Sequence, residues 1–502
     1  MPYIILMGHK NQNEDSVVSI SNYHHPYNLK TMPSETTIIH PTNKHNRPFP
    51  TTAIPLHGLD LFGAPIQILN HRFFQPPTTN SFADVVGNLK SSLAEALELY
   101  PPVNGTLKKD REKNVYIAMD DAHRPGTPFT VETKDAPFTT DSEDLSPRAG
   151  LVLPPGSTTL AVKVTQVCQR KNAKTHASQR LNHYNKFSCG TVVIASSLHH
   201  LVADLRGFLN FLEVWAQLAR GEPVDFTRIP DDWTHTPGRF FTRLDHEPVA
   251  PPPFTVLPTP ATRAYAYLTQ PSEATRWKIS QSEMEQLKKD FSPACKDAWI
   301  SSGDALASLI SGAITRARAR ADVQRLEGRS SEETQSESVA MAADGRDRAP
   351  HGNMAGGHYF GNFNHLWSAT LARADLLTAT PKAGSRVALA IRNELKVQLS
   401  PDAIANRVAL FENTNPRKRI TWTADVILSN WCRFDLQGAS FDMGWGKPFK
   451  ATPGAGAVFP PGYSLMTHDK ASGIFNVLIT VEVEGGAALK ADPLLNKYAE
   501  LQ

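Results

Sequence analysis

Near the middle of the chain, a strand pattern runs directly into a helix pattern. Residues 191–198 are apolar and rich in β-branched side chains, which predicts a strand buried on at least one face. Residues 205–220 carry an apolar stripe at helical spacing, and Gly221 and Pro223 end the helix behind it. His200 therefore falls at a strand-to-helix corner, where a rigid scaffold can hold a catalytic group. A neutral imidazole at such a corner can take a proton from an alcohol or an amine near neutral pH.

His200 opens a His-x-x-x-Asp motif that closes at Asp204. The chain has 18 histidines, and about one such match is expected by chance in a sequence of this composition. The motif occurs once, because no other histidine has an aspartate four residues later. On the motif alone, a buried histidine followed by a helix-capping aspartate is the simpler interpretation, and a catalytic site is the alternative. The neighbouring His199 is expected to pack or to form hydrogen bonds rather than to catalyse.

The composition excludes several classes of function. Lysine plus arginine (52) nearly balances aspartate plus glutamate (49), so nothing favours nucleic acid or an anionic membrane surface as the partner. The four cysteines are far apart, which fits a reducing compartment rather than a disulfide framework or a zinc site. The sequence has neither a His-Glu-x-x-His motif nor a phosphate-binding Gly-x-x-x-x-Gly-Lys loop. No apolar run is long enough to cross a bilayer, so we expect a cytosolic protein without a metal site.

The chain is long enough for two domains, and its composition indicates where they meet. Residues 1–33 are polar and are expected to form an extension outside the core. Residues 34–221 form a predicted first domain, and residues 291–502 a second. Residues 222–290 are rich in proline and are expected to form the crossover between them. Strands and helices mix in both halves without strict alternation, which predicts an α/β fold with mixed sheets.

A second motif lies far downstream, at residues 441–448. Its sequence is Phe-Asp-Met-Gly-Trp-Gly-Lys-Pro, in which Gly444 and Gly446 flank Trp445. Two glycines around an aromatic residue, closed by proline, predict a tight turn that fixes the indole. On this motif alone, a core anchor held in a turn is the simpler interpretation.

The two motifs together, about 240 residues apart, are the signature pair of the BAHD acyltransferases, and the sequence resembles that family from about Thr36 to its C-terminus. Several stretches between the motifs also look like the family: Pro55-Leu56 with Leu59-Asp60, Leu99-Tyr100-Pro101-Pro102, Ser302 with Asp304-Ala305-Leu306, Asp344-Gly345-Arg346, Tyr359-Phe360-Gly361-Asn362 and Ser429-Asn430-Trp431 with Arg433. The sequence departs from the family pattern in three places. Met443 replaces a phenylalanine, Leu205-Arg206 follow Asp204 where glycine is usual, and residues 63–74 lack the threonine and serine that contact substrate in hydroxycinnamoyl transferases.

The resemblance implies two similarly built domains, each a mixed β-sheet flanked by helices as in chloramphenicol acetyltransferase, with a channel between them. It implies a monomer that moves an acyl group, hydroxycinnamoyl or another, from coenzyme A to a small hydroxyl or amine acceptor, with acyl-CoA as a co-substrate and no permanent cofactor. His200 is then the general base at the centre of the channel. Asp204 is structural and pairs with Arg346. The indole N–H of Trp445, or a hydroxyl or amide near Ser429-Asn430, stabilises the oxyanion.

The resemblance also suggests which residues contact the substrates. Cofactor contacts are expected from Ser302 and Ser429, and from the turn residues Asp442, Gly444 and Gly446. Trp431 and Arg433 are expected on the acceptor side, because hydroxycinnamoyl transferases of the family hold an arginine at the second position that grips an acceptor carboxylate. Arg433 therefore predicts an acceptor with an anionic or polar group.

Three other functions compete with this prediction. A condensation-type enzyme that takes acyl groups from carrier proteins shares a His-His-x-x-x-Asp core, but the second motif and the lack of a fused carrier domain argue against it. A catalytically silent binding protein on the same scaffold is the second alternative, and the intact His200 argues against that. Hydrolase activity is the third, and products formed from acyl-CoA with alcohols and amines would separate all of them.

Overall fold

A computed structural model of the chain describes residues 34–502, with internal gaps. The gaps are residues 48–52, 64, 113, 120–125, 135–142, 155, 168–189, 231–232, 242, 253, 261–269, 296, 324–334, 349–358, 415–418, 423 and 455–458. The predicted N-terminal extension, residues 1–33, lies outside the described residues. Among the helices of the described part, none is long and apolar enough to span a bilayer.

In the first half of the chain, the residues that the structure describes form eight strands and three α-helices. They are β1 (Glu35–Ile39), β2 (Ile54–Pro55), α1 (Gly58–Phe62), β3 (Gln67–Phe74), α2 (Phe82–Leu99), β4 (Thr106–Lys109), β5 (Val115–Ala118), β6 (Thr127–Lys134), β7 (Leu160–Val167), β8 (Val192–His199) and α3 (Leu205–Ala219). The start of α2 is a capping box, in which Ser81 and Asp84 each bond the other's backbone N–H. Helix α3 follows the central motif, as the apolar stripe of residues 205–220 predicts.

The described residues of the second half form ten strands and seven α-helices. They are β9 (Phe254–Val256), β10 (Glu273–Ile279), α4 (Gln281–Phe291), α5 (Ser302–Arg320), β11 (Ser336–Asp344), β12 (Asn364–Ala372), α6 (Arg373–Leu377), α7 (Pro381–Gln398), α8 (Pro401–Asn413), β13 (Ile420–Trp422), β14 (Val426–Asn430), β15 (Lys450–Thr452), β16 (Tyr463–Asp469), β17 (Ile474–Val481), α9 (Gly486–Lys490), α10 (Pro493–Tyr498) and β18 (Glu500–Leu501). Helices α7 and α8 follow each other closely but are separate, because Ser400 caps α8 and Pro401 occupies its first position.

Two large mixed sheets organise these elements, as the fold class predicted. The first sheet has the order β1-β6-β7-β8-β3-β15, and the second has the order β12-β11-β14-β16-β17-β10-β18. Each sheet combines antiparallel pairs with parallel ones, β6 with β7 in the first and β11 with β14 in the second. Helices α2 and α3 pack on the first sheet around the buried Trp215, and α5 is the central buried helix on the second.

Each of the two large sheets includes a strand from outside the predicted bounds of its domain. β10 and α4 fall within the predicted crossover of residues 222–290, yet they pair in the second sheet and pack in its core. Strand β15 belongs to the second half of the chain, yet it pairs antiparallel with β3 at the edge of the first sheet, with Lys450 opposite Phe73. The loop that carries the second motif therefore packs on the first domain.

Candidate active site

His200 follows the last residue of β8 at the edge of a cavity between the two sheets. Its backbone N–H donates to the carbonyl of Ile66 (2.8 Å), which ties the turn to the start of β3. The cavity measures about 140 Å³, and both domains contribute to its walls. The strand-to-helix corner inferred from the sequence is therefore present, and it faces an internal space.

The imidazole of His200 is held from behind by Asn362. His200 Nδ1 lies 3.1 Å from Asn362 Oδ1, and Asn362 Nδ2 donates to the His200 carbonyl (2.8 Å). Among the described residues, Nε2 of His200 has no hydrogen-bond partner. Burial lowers the pKa of His200 below its ordinary value, so the ring is neutral near pH 7. A neutral ring with one anchored nitrogen and one free nitrogen is the arrangement that a general base requires.

Asp204 points away from His200 and pairs with Arg346 of the second domain. Arg346 Nη1 donates to Asp204 Oδ2 (2.8 Å), and Nη2 donates to Oδ1 (3.0 Å). The carboxylate also accepts the N–H of Gly207, which caps α3, and the N–H of Phe363. The ion pair inferred from the sequence is thus present, and Asp204 ties α3 of the first domain to two segments of the second.

Arg346 lies completely buried between two carboxylates. Its Nη1 also donates to Asp344 Oδ1 (3.0 Å), and Arg206 Nε donates to the other oxygen of Asp344 (3.0 Å). Burial by itself lowers the pKa of Arg346, but the attraction of Asp204 and Asp344 outweighs it and raises the pKa above its ordinary value. Arg346 therefore keeps its charge, and its neighbours Asp204, Asp344 and Arg206 line the His200 cavity.

Of the residues expected to contact substrate, Ser429 and Trp431 line the cavity with His200. Tyr463 also lines it, and a hydrogen bond joins its hydroxyl to Ser429. Burial raises the pKa of Tyr463 to about 12, so the phenol keeps its proton. The remaining wall is mostly apolar, with Ile68, Leu69, Leu151, Phe434, Phe459 and Leu465.

Ser302 and Arg433 line a second, larger cavity of about 520 Å³. It shares part of its wall with the first, including Arg206, Asp344 and Asn430. The sequence placed Ser302 on the cofactor side and Arg433 on the acceptor side, but the structure puts both in one space.

Positive charge dominates this second cavity. Arg348, Arg392, Arg433 and Lys288 all line it, and Arg392 stacks on the exposed Trp299 (4.4 Å to the ring centroid). Arg392 pairs with Asp304. The guanidinium groups of Arg348 and Arg433 have no hydrogen-bond or ion-pair partner in the described part of the chain. Burial lowers the pKa of Arg348, and repulsion by Arg433 and Arg392 lowers it further. Unpaired like charges that face one cavity favour an anionic ligand there.

The prediction that Trp445 stabilises an oxyanion is wrong. Its indole N–H already donates to the carbonyl of Phe441, and the ring is buried against Phe74 (4.8 Å between centroids). Neither cavity is lined by Trp445. The indole belongs to the core of the first domain. This is the simpler of the two interpretations of the motif, a core anchor held in a turn.

Asp442, Gly444 and Gly446 form the turn that holds this indole. One oxygen of Asp442 accepts the backbone N–H groups of Gly444, Trp445 and Gly446. Gly444 has a positive φ of 93°, and a Cβ there would lie 2.1 Å from the hydroxyl of Thr79. The three residues line neither the His200 cavity nor the larger one, so the structure does not bring them together with the other predicted cofactor contacts.

Three residues of the site were not identified by sequence reasoning: Asn362, Tyr463 and Asp60. Asn362 and Asp60 lie in stretches that resemble the family, but the sequence assigns neither residue a role. Tyr463 begins β16 and carries no local signal, because only the pairing of β14 with β16 brings it to Ser429.

Comparisons with known proteins agree with this geometry. The sequence matches the Transferase family over residues 31–492, so the chain belongs to this family, the BAHD acyltransferases. It is 25% identical over 431 residues to hydroxycinnamoyl-CoA:5-hydroxyanthranilate N-hydroxycinnamoyltransferase HHT1 of Avena sativa, covering 79% of this chain and 84% of the relative. It is 23% identical over 461 residues to acyltransferase uat1 of Mycosarcoma maydis, covering 80% and 82%.

Solved structures share the fold at low sequence identity. TRI101 of F. sporotrichioides, in complex with coenzyme A and T-2, superposes with a TM-score of 0.69 at 16% identity, covering 89% of this chain and 99% of that one. Vinorine synthase superposes with a TM-score of 0.61 at 18% identity, covering 94% and 98%. The protein is accordingly an acyltransferase that moves groups other than aminoacyl groups, with the two-domain α/β fold of its family.

Proposed function

We propose that this enzyme transfers an acyl group from acyl-CoA directly to a hydroxyl or amine of a small acceptor, with His200 as the general base. The observation that carries the proposal is the free Nε2 of a neutral, anchored imidazole at the edge of an interdomain cavity. The relatives support acyl-CoA as the co-substrate, since one is named for its hydroxycinnamoyl-CoA donor and TRI101 was solved with coenzyme A. A monomer in the cytosol remains a prediction from the sequence.

In the proposed mechanism, Nε2 of His200 takes the proton of the acceptor as its oxygen or nitrogen attacks the thioester carbonyl. A tetrahedral oxyanion forms, and it collapses as the C–S bond breaks. The leaving sulfur of coenzyme A then takes the proton from the imidazolium, which restores the neutral ring. The reaction needs no serine or cysteine nucleophile, so no acyl-enzyme is expected.

Ser429 is the oxyanion donor that the wall of the cavity favours. Because Tyr463 keeps its proton, its hydroxyl can donate to Ser429, which leaves the serine's own proton free for another acceptor. The largely apolar wall excludes water, and this strengthens such a hydrogen bond. The same wall suits an aromatic acyl chain such as a hydroxycinnamoyl group.

The decisive test of the base is His200→Ala. General base catalysis supplies about 10²–10⁴-fold in rate, so turnover should fall by at least that amount, with acyl-CoA binding and the circular dichroism spectrum unchanged. Mass spectrometry of products formed from acyl-CoA and a panel of alcohols and amines identifies the reaction in the wild-type enzyme. Turnover near the wild-type value in the folded variant would rule out this role for His200.

We further infer that the arginine-rich cavity receives an anionic group of the acceptor. Relatives named for anthranilate, hydroxyanthranilate and shikimate act on compounds that carry a carboxylate, which supports this assignment. Arg433→Ala should raise the acceptor KM about 10- to 100-fold, because a hydrogen bond to a charged group contributes about 1.5–3 kcal/mol. The acyl-CoA KM should stay nearly constant.

The matched control is Arg386→Ala, since Arg386 pairs with Asp375 on the exposed side of α7 and lines neither cavity. A rise confined to the acyl-CoA KM in the Arg433 variant would assign the cavity to the phosphates of coenzyme A instead. No change in either KM would remove Arg433 from substrate binding altogether.

A further inference from the structure

A buried carboxylate, Asp60 of α1, lies directly behind the Asn362 amide. Only 1% of Asp60 is exposed. Its Oδ2 accepts the backbone N–H of His57 (2.9 Å), and its Oδ1 accepts the backbone N–H of Asn362 (2.8 Å). Because a backbone N–H can only donate, both oxygens of Asp60 act as acceptors in these bonds.

The surroundings of Asn362 leave a single orientation for its side-chain amide. One end of the amide lies 2.9 Å from Asp60 Oδ1 and 2.8 Å from the His200 carbonyl. Both of these atoms can only accept, so this end must be the NH₂ group. The carbonyl oxygen of the amide therefore faces Nδ1 of His200, 3.1 Å away.

The orientation of the amide in turn selects the tautomer of His200. An amide oxygen can only accept, so Nδ1 must carry the proton of the neutral ring. Nε2 then keeps a lone pair on the side of the cavity. The chain of hydrogen bonds thus runs from a carboxylate of α1, through an amide of the second domain, to the histidine that follows β8.

We propose that Asp60 is a positioning residue for the reaction: it fixes the orientation of Asn362 and thereby holds His200 in the tautomer that can accept a proton at Nε2. The catalytic consequence rests on the proposed function of His200, whereas the tautomer itself can be measured in the resting enzyme. His235, in the crossover, places Nδ1 2.9 Å from Asp60 Oδ2 and holds the far side of the carboxylate. The carboxylate of Asp60 therefore contacts residues from the first domain, the crossover and the second domain.

Asp60 also has a purely structural task, because it belongs to the capping box of α1. The cap uses only Oδ2, which accepts the N–H of His57, while Asn362 uses Oδ1. A capping role predicts a loss of stability when Asp60 is changed, and it predicts no effect on the ring of His200. The two roles can therefore be separated by a spectroscopic measurement.

The experiment uses the full-length protein with ¹⁵N-labelled histidine. Long-range ¹H–¹⁵N NMR spectra distinguish a protonated ring nitrogen from a bare one, and the His200→Ala variant assigns the signal. Wild-type enzyme should show a protonated Nδ1 and a bare Nε2. Asp60→Asn should reduce the Nδ1-protonated population and lower kcat, by up to the roughly 10²–10⁴-fold that base catalysis supplies, with the acyl-CoA KM within about twofold.

A double-mutant cycle tests whether Asp60 acts through Asn362. Asn362→Leu should itself lower kcat, and adding Asp60→Asn to it should cause no further loss. Asp492→Asn is the matched control, since Asp492 is equally buried and caps α10 but pairs with Arg316, away from both cavities. That variant should lower the melting temperature and leave kcat and the His200 signal unchanged.

Several outcomes would overturn the proposal. They are a wild-type ring protonated at Nε2, an Asp60→Asn variant that melts earlier but keeps its kcat and its tautomer, and additive losses of kcat in the double variant. A wild-type ring protonated at Nε2 would overturn the proposal even if the Asp60 variant does not fold. If His200 is not the base, the His200→Ala variant keeps its turnover. That result is separate from the spectra, which test only the tautomer.

Discussion

Replacing Asp204 by asparagine removes one charge from a site in which every surrounding group is a donor. Oδ1 accepts from Gly207 N and Arg346 Nη2, and Oδ2 accepts from Arg346 Nη1 and Phe363 N. Whichever way the new amide turns, its NH₂ group faces two donors that it cannot satisfy. The buried Arg346 is also left with a single carboxylate, Asp344.

Breaking a buried ion pair on one side costs about 3–5 kcal/mol. For a domain of about 250 residues, each 1 kcal/mol lowers the melting temperature by about 2 °C, so Asp204→Asn should melt about 6–10 °C earlier. Arg346→Met should show a decrease of similar size. The double variant should melt close to either single variant rather than at the sum of the two, because both changes remove the same interaction.

Differential scanning calorimetry of the four proteins measures this cycle. Asp375→Asn is the control, because Asp375 forms a similar two-pronged pair with Arg386 at an exposed site and should melt close to the wild type. Additive decreases from Asp204→Asn and Arg346→Met would refute the reasoning. So would a decrease no larger than that of the exposed pair.

Three further outcomes follow from the structure. The pKa of His200 is lowered by burial, so the acid limb of kcat/KM should have its midpoint below about pH 6.5, and a midpoint above that value would contradict the assignment. Trp445→Ala should cost about 3–5 kcal/mol of stability without moving that limb; a moved limb at full stability would contradict its core role. Burial lowers the pKa of His57 to about 4 and that of His71 to about 3. The unfolded chain therefore binds more protons below about pH 6.5, and melting temperatures should fall from there toward pH 4; constant values would contradict this.

Sequence reasoning identified the parts of the site that depend on local structure. His200 and Asp204 were identified because the sequence of residues 191–220 predicts a strand, a corner and a helix in succession. The partner of Asp204 came from a resemblance, since 142 residues separate it from Arg346. Mixed sheets were predicted because strands and helices mix in both halves without strict alternation.

The errors concern contacts that only the folded chain creates. The glycines around Trp445 correctly predicted a turn, but nothing in the sequence shows that the Phe441 carbonyl occupies the indole N–H. The resemblance assigned Ser302 to the cofactor and Arg433 to the acceptor, whereas the structure places both residues on the wall of one cavity. Asp60 and Asn362 lie 302 residues apart, so no local pattern could join them.

The edge strand β15 is synthesised long after β3, the strand with which it pairs. It pairs with β3 across an interval of 377 residues, from Phe73 to Lys450. At about 5–20 residues per second, a ribosome needs roughly 20–75 s to span that interval, and the outer edge of β3 stays unpaired throughout. An open edge is a template for pairing with another chain, so the nascent first domain is vulnerable to aggregation until residues 450–452 have been made. Cutting the gene into two halves should therefore yield an incomplete first sheet rather than two independent proteins.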